Sequence, residues 1–264
     1  MRRPDISLPS RLKIERAKHH INDLNGKVKA FLSEQPFEAV IRIAPKAKQG
    51  SLAIKRNKPV PDEISLIAGD AVHNLRSALD LLMFALIGGK VARPETVQFP
   101  FGHGDEQAFM RTIETRQIKL AGKKVVDEIV ALKPYRDANS ELYGLHSLDL
   151  TDKHQLLIAV GHAQSMSADQ IRTNLPFVPF EGPGVLKFTG KGPDLLTFPV
   201  SFPGTCRSAR RRFAGYEEKA KVQPSFEICF GPNVPFAHHN VVAKLHELAG
   251  VVSTAVSGIA NAAS

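Results

Sequence analysis

One stretch constrains this chain more than any other: Pro61 to Ile87, read as PDEISLIAGDAVHNLRSALDLLMFALI. It is long, helically patterned and apolar enough to enter a core. Yet its middle carries Asp70, His73, Asn74, Arg76, Ser77 and Asp80. Polar groups taken out of water cost free energy unless they are paired, so such a set is either a satisfied network or a site. At about 100° per residue the six polar groups share an arc of roughly 160°. Ala68, Ala71, Val72, Leu75, Ala78, Leu79 and Leu82 fill the opposite arc. The polar arc has no Lys or Glu, the residues that solvated faces use, so it is expected to meet another element. Leu81 falls inside the arc, and Phe84 and Ile87 close it off below.

The rest of the chain predicts an α+β fold. It has a helical core of long helices, a small antiparallel sheet and an N-terminal β-hairpin, in a single domain over 1–264. The helical core is expected mainly over 10–35, 61–88, 105–155 and 237–260, and the β-rich part over 37–56 and 175–231. A first helix from Arg11 to Glu34 has Ser10 as its expected N-cap, and Pro36 stops it. FEAVIRI and SLAIK read as the hairpin. Pro61 suits the first turn of the central helix and Gly88-Gly89 its end. Helices follow over Glu106–Ile118, Lys123–Leu132 and Ser140–Leu148. His154–Val160 is ambiguous between helix and strand. VLKFTG, LLTFPVSF and SFEICFG read as strands, with Arg207–Lys221 between them as a charged surface loop or short helix.

Composition bounds the function classes. The formal net charge is +9 over 264 residues, which points to an anionic partner such as RNA or another polyanion. The cluster Arg207, Arg210, Arg211 and Arg212 is the phosphate-binding candidate, with Phe213 and Tyr216 beside it for base stacking. Lys13, Arg16, Lys27 and Lys29 add charge on the first helix. The two cysteines, Cys206 and Cys229, have no zinc spacing and suit a reduced compartment. The first twenty residues contain no apolar signal core, and Lys244, His246 and Glu247 interrupt the apolar C-terminal stretch. A cytoplasmic protein without a membrane span is expected. GxxxxGK[ST], GxGxxG after a strand and GxSxG are all absent, which disfavours nucleotide hydrolysis, dinucleotide redox and α/β-hydrolase chemistry. No cofactor is expected.

A second constellation lies in LHSLDLTDKHQLL: His146, Asp149, Asp152, Lys153 and His154. Three readings are open for it. It can be a packed segment in which Asp152 or Thr151 caps a turn. His146, Asp149, Asp152 and His154 can be metal ligands, although their spacing matches no established zinc motif. Or Asp152 and His154 can face the central helix and complete one network with Asp70 and Arg76.

ERAKHHINDL, GDAVHNLRSALD and LTDKHQLLI together resemble an uncharacterised family of bacterial and phage-associated proteins. There the central helix commonly continues to a histidine after HNLRSALD, which sets an Arg and a His five apart. That spacing is similar to the motif of the HEPN superfamily of helical nucleases, whose Arg and His act on RNA, often across a dimer. The resemblance implies a link to phage or mobile-element biology, a homodimer and a metal-independent ribonuclease. Arg76 would then hold the scissile phosphate, His73 or His154 would be the general acid or base, and Asn74 or Asp70 would orient it. Leu81 stands where the family's histidine falls. The reading that leads is therefore a binding or interaction module with a buried polar network. The HEPN-like ribonuclease or RNA-binding protein is the alternative. A metal-dependent hydrolase using His73, Asp149, Asp152 and His154 comes behind both.

Overall fold

The structure, a computed structural model, describes residues 5–44, 49–154, 159–174, 185–187, 194–199 and 217–264. The fold is α+β, with long helices, small antiparallel sheets and an N-terminal hairpin. The chain divides into two compact units. The first comprises Met1–Val28, Asp62–Ala159 and Cys229–Ser264, and the second Lys29–Pro61 and Val160–Ile228.

The first unit is built around α2 (Asp62–Ile87). Its apolar arc is sealed: Ala68, Ala71, Val72, Leu75, Ala78, Leu79 and Leu82 are all buried. α2 packs against α5 (Ser140–His154) and α7 (Val241–Ala262), and α7 also packs against α4 (Lys123–Ala131). Side-chain caps fix helix starts here. The Asp105 carboxylate accepts from the Ala108 N–H at 2.9 Å to open α3 (Glu106–Thr115), and the Asn240 side chain accepts from the Ala243 N–H at 3.0 Å to open α7. Among the described residues, the helix that is long and apolar enough to cross a membrane, by length and composition, is the one over Asp62–Lys90 rather than the C-terminal one. It is 61% buried within the protein over its most apolar window, as a core helix is.

α1 (Leu8–Ser33) begins three residues earlier than the sequence suggests. Ser10 is not its N-cap: it lies inside the first turns, buried, with its hydroxyl unpartnered. Asp5 organises the start instead. Its carboxylate accepts from the Ser7 hydroxyl at 2.7 Å and the Ser7 N–H at 2.9 Å, and these bonds hold it below the usual carboxylate range. Pro9 needs no N–H partner in a first turn, so the helix can start ahead of it.

The second unit holds most of the β-structure. β1 (Phe37–Ala44) and β2 (Gln49–Arg56) form the expected hairpin, in register from Phe37 opposite Arg56 to Ala44 opposite Gln49. β5 (Asp194–Pro199) and β6 (Glu217–Lys219) extend it to a four-stranded sheet of order β5-β2-β1-β6. A three-stranded sheet has the order β4-β3-β7, from β4 (Val185–Lys187), β3 (Ala159–Ser167) and β7 (Ser225–Phe230). Of the ambiguous segment His154–Val160, His154 closes α5 and Ala159 opens β3, while residues 155–158 lie outside the described residues; the short helix α6 (Ala168–Asn174) follows β3. The expected loop or short helix over Arg207–Lys221 is corrected at its end, where β6 pairs with β1. The reason is electrostatic. Glu217 on β6 meets Arg42 of β1 at 2.9 Å and Lys55 of β2 at 2.8 Å, so cross-strand charge holds a segment with no apolar alternation. Residues 207–216 lie outside the described residues.

Two helical glycines make opposite predictions. A Cβ on Gly144 of α5 would overlap the Phe236 ring, whereas nothing stands within 4 Å of one on Gly250 of α7. Gly144→Ala is expected to lower stability in urea unfolding by roughly 1–3 kcal/mol, since the ring must be displaced. Gly250→Ala is expected to raise it by about 0.5–1 kcal/mol, through helix propensity alone.

Candidate functional site

The polar arc of α2 does meet another element, and that element is the LHSLDLTDKH helix. Gly69, His73 and Arg76 of α2 face Asp152, Asp149 and His146 of α5. Numbers rise along one helix as they fall along the other, so the pair is antiparallel, with one polar rung for each turn. Gly69 is required at the first rung, because a Cβ there would overlap the Asp152 carboxylate.

The middle rung is open to solvent on one side. The His73 Nδ1–H donates to Asp149 Oδ1 at 3.1 Å. The His73 side chain is 55% exposed, whereas that of Asp149 is 3% exposed. Asp149 also accepts from Lys153 Nζ at 2.6 Å, so its buried charge is balanced. The other ring nitrogen of His73 faces the Ser77 hydroxyl at 3.4 Å. Beside this rung the Asn74 amide donates to the Asp70 carbonyl at 2.8 Å and its oxygen accepts from Lys13 of α1 at 3.2 Å. Asp70 itself is exposed.

The inner rung is closed. The Arg76 side chain is 6% exposed and ion-paired to Asp80 one turn on. The Arg76 Nε donates to His146 Nδ1 at 3.4 Å, and its guanidinium lies 4.6 Å from the centre of the Phe101 ring. Asp80 accepts in addition from the Phe99 N–H at 2.7 Å, which ties the 99–103 segment to the helix pair. Phe101 stacks flat on His146, with ring centres 4.4 Å apart and planes 3° apart. Gly102 allows that segment to lie against 134–136. Its N–H donates to the Pro134 carbonyl at 3.1 Å, and a Cβ there would overlap Phe109 and Tyr135. The next residue, His103, is thereby placed 5.7 Å from His146, ring centre to ring centre.

Charge around the inner rung is uneven. Burial, with Arg76 and His103 adding to it, pushes the His146 imidazole down to about 4. Burial and Arg76 also push Arg116 below the usual arginine range, with Asp80 opposing. Because Arg76 donates to His146 Nδ1, the neutral ring must carry its proton on Nε2.

Arg76, His73, Asn74 and Asp70 are therefore gathered on one face, but they divide between an occupied interior rung and an exposed edge. The backbone of α5 reaches His154, whose side chain lies outside the described residues, as do Arg207, Arg210, Arg211 and Arg212. His146, Asp149 and Asp152 turn to different partners, one for each helical turn, and do not converge. Among the described residues no group of three or more His, Cys, Asp or Glu is placed to hold a metal. Thr151 and Asp152 both lie within α5, and Thr151 does not cap a turn. Thr151 donates to the Ser147 carbonyl within the helix at 2.9 Å, and α5 continues past both. Phe101 and His103 carry no sequence signal because QFPFGHG reads only as a Pro- and Gly-rich connection, and Arg116 carries none because it reads as one more charged residue at the end of the Glu106–Ile118 helix.

The depressed His146 gives a signed pH dependence. Above about pH 6.5 the ring is neutral in both folded and unfolded chains. Between about 6.5 and 4 only the unfolded chain takes up the proton, so stability falls as the pH drops. Below about 4 this loss is complete. With the ring's solvent-facing edge discounted, the loss is expected at about 2 kcal/mol. Urea unfolding across this range checks it, and His146→Gln should remove that component of the slope.

Compared with known proteins, the chain matches no family model, and no curated protein or solved structure is significantly similar to it.

Proposed function

We propose that this chain is a cytoplasmic binding module for an anionic partner, RNA first, whose α2–α5 seam is a structural polar network. The position of Arg76 carries this reading. A guanidinium that is to hold a scissile phosphate must offer free N–H donors to solvent. That of Arg76 is buried, ion-paired to Asp80, bonded to His146 and covered by Phe101. Leu81, where the HEPN-like motif would have its histidine, adds no acid or base. The anionic partner is supported by the net charge of +9.

The exposed edge favours a second reading, the metal-independent ribonuclease. A half-exposed imidazole whose Nδ1–H is held by a buried carboxylate is oriented as a general acid or base should be. In that reading His73 is the proton-transfer group and Arg76 only supports the helix pair.

One experiment separates the two. Fluorescence anisotropy with single-stranded RNA at two salt concentrations reads binding, and gel analysis of the same RNA in the presence of EDTA reads cleavage. The binding reading expects saturable binding that weakens by an order of magnitude or more between 50 and 200 mM salt, with no cleavage. Cleavage that persists in EDTA and is lost in a folded His73→Ala variant would establish the ribonuclease instead. Absence of binding would remove the RNA reading.

A further inference from the structure

The charge imbalance around the inner rung is not resolved within the helix pair. Arg76 and Arg116 stand there with the His103 and neutral His146 rings; Asp80 answers the two guanidiniums, while Asp149, which also bears on His146, is paired with His73 and Lys153. Arg76 is occupied by Asp80. Arg116, half-buried, donates one N–H to Gln98 Oε1 at 3.0 Å and, among the described residues, has no carboxylate within ion-pair distance. His103 is exposed, and among the described residues its ring lies beside those of Tyr143 and His146. Arg136 adds a further cation at the rim, its guanidinium 5.8 Å from the centre of the Tyr143 ring.

We infer that Arg116, His103 and the Nε2–H of His146 form a receptor for a phosphoryl group, with Tyr143 and Arg136 at its rim. Three sets of donors on separate elements suit a tetrahedral oxyanion better than a planar carboxylate. A guanidinium held close to a second one with a single shared carboxylate gains when an anion arrives. Backbone hydrogen bonds at Gly102 fix His103, and the Phe101 stack and Arg76 fix the His146 ring, so the donors are preorganised. The phosphoryl group can belong to a small phosphomonoester or to the end of an RNA strand. The inference rests on the anionic-partner reading and names its contact.

Titration calorimetry of the full chain with inorganic phosphate at constant ionic strength tests it, with Arg116→Gln and His103→Ala as variants. Both must keep the wild-type circular dichroism spectrum. His103 is exposed and makes no hydrogen bond among the described residues, so its variant guards against a folding failure at Arg116. Saturable phosphate binding by the wild type, weakened at least tenfold in each variant, is the expected result. No saturable binding, or equal binding by wild type and both variants, overturns the inference. Adenosine monophosphate and a short RNA with and without a 5′-phosphate then distinguish the two sources. RNA binding that survives without any phosphate site would sink this inference and leave the RNA reading standing. Phosphate binding without RNA binding would do the reverse.

Discussion

The contact on which the first unit depends is the buried guanidinium of Arg76. A charge in that position is tolerable only if its donors are satisfied, and three elements converge to do so. Asp80 supplies the counter-charge from the same helix, His146 supplies a lone pair from α5, and Phe101 covers the cation with its ring face. Asp80 reaches further, accepting the Phe99 N–H, so the 99–103 segment is fastened by the same carboxylate. Removing one partner of such a pair typically costs about 3–5 kcal/mol, because the other is left charged and buried. The seam thus specifies one register of α2 against α5. Sliding either helix by a turn would strand Arg76 and drive Asp152 away from the glycine that makes room for it.

That geometry also decides what the polar face can do. Groups that look alike on a helical wheel have separate fates, because the wheel gives direction and not depth. Arg76 lies under the 99–103 segment, while His73, one turn away, faces solvent with Asp149 beneath it. Chemistry that needs an accessible Arg and His side by side is not served by such an arrangement. The arrangement leaves one imidazole edge, that of His73, open to solvent on a fixed scaffold.

Much of α2 was legible in the sequence. Its apolar arc, its end at the glycine pair and the absence of Lys and Glu from its polar arc all follow from periodicity and side-chain choice. Asp149 was legible as an acid in an apolar frame, but not as the partner of His73, because helix register is set by tertiary packing. The role of Phe101 and His103 was hidden. A connection rich in Pro and Gly carries no periodic signal, and its position depends on backbone bonds to 134–136. β6 was hidden for a related reason: three charged residues make a strand only because Arg42 and Lys55 stand opposite. Ser10 misled as a cap because Asp5, further out, already held the start of α1.

The seam stands or falls with His146, which burial and Arg76 hold as a neutral ring under Phe101. Nitrogen-15 NMR of the histidine rings reads this directly. His146 is expected to be neutral at pH 6, with its proton on Nε2, and to titrate near pH 4. A His146 that titrates near 6.5, or carries its neutral proton on Nδ1, would contradict it.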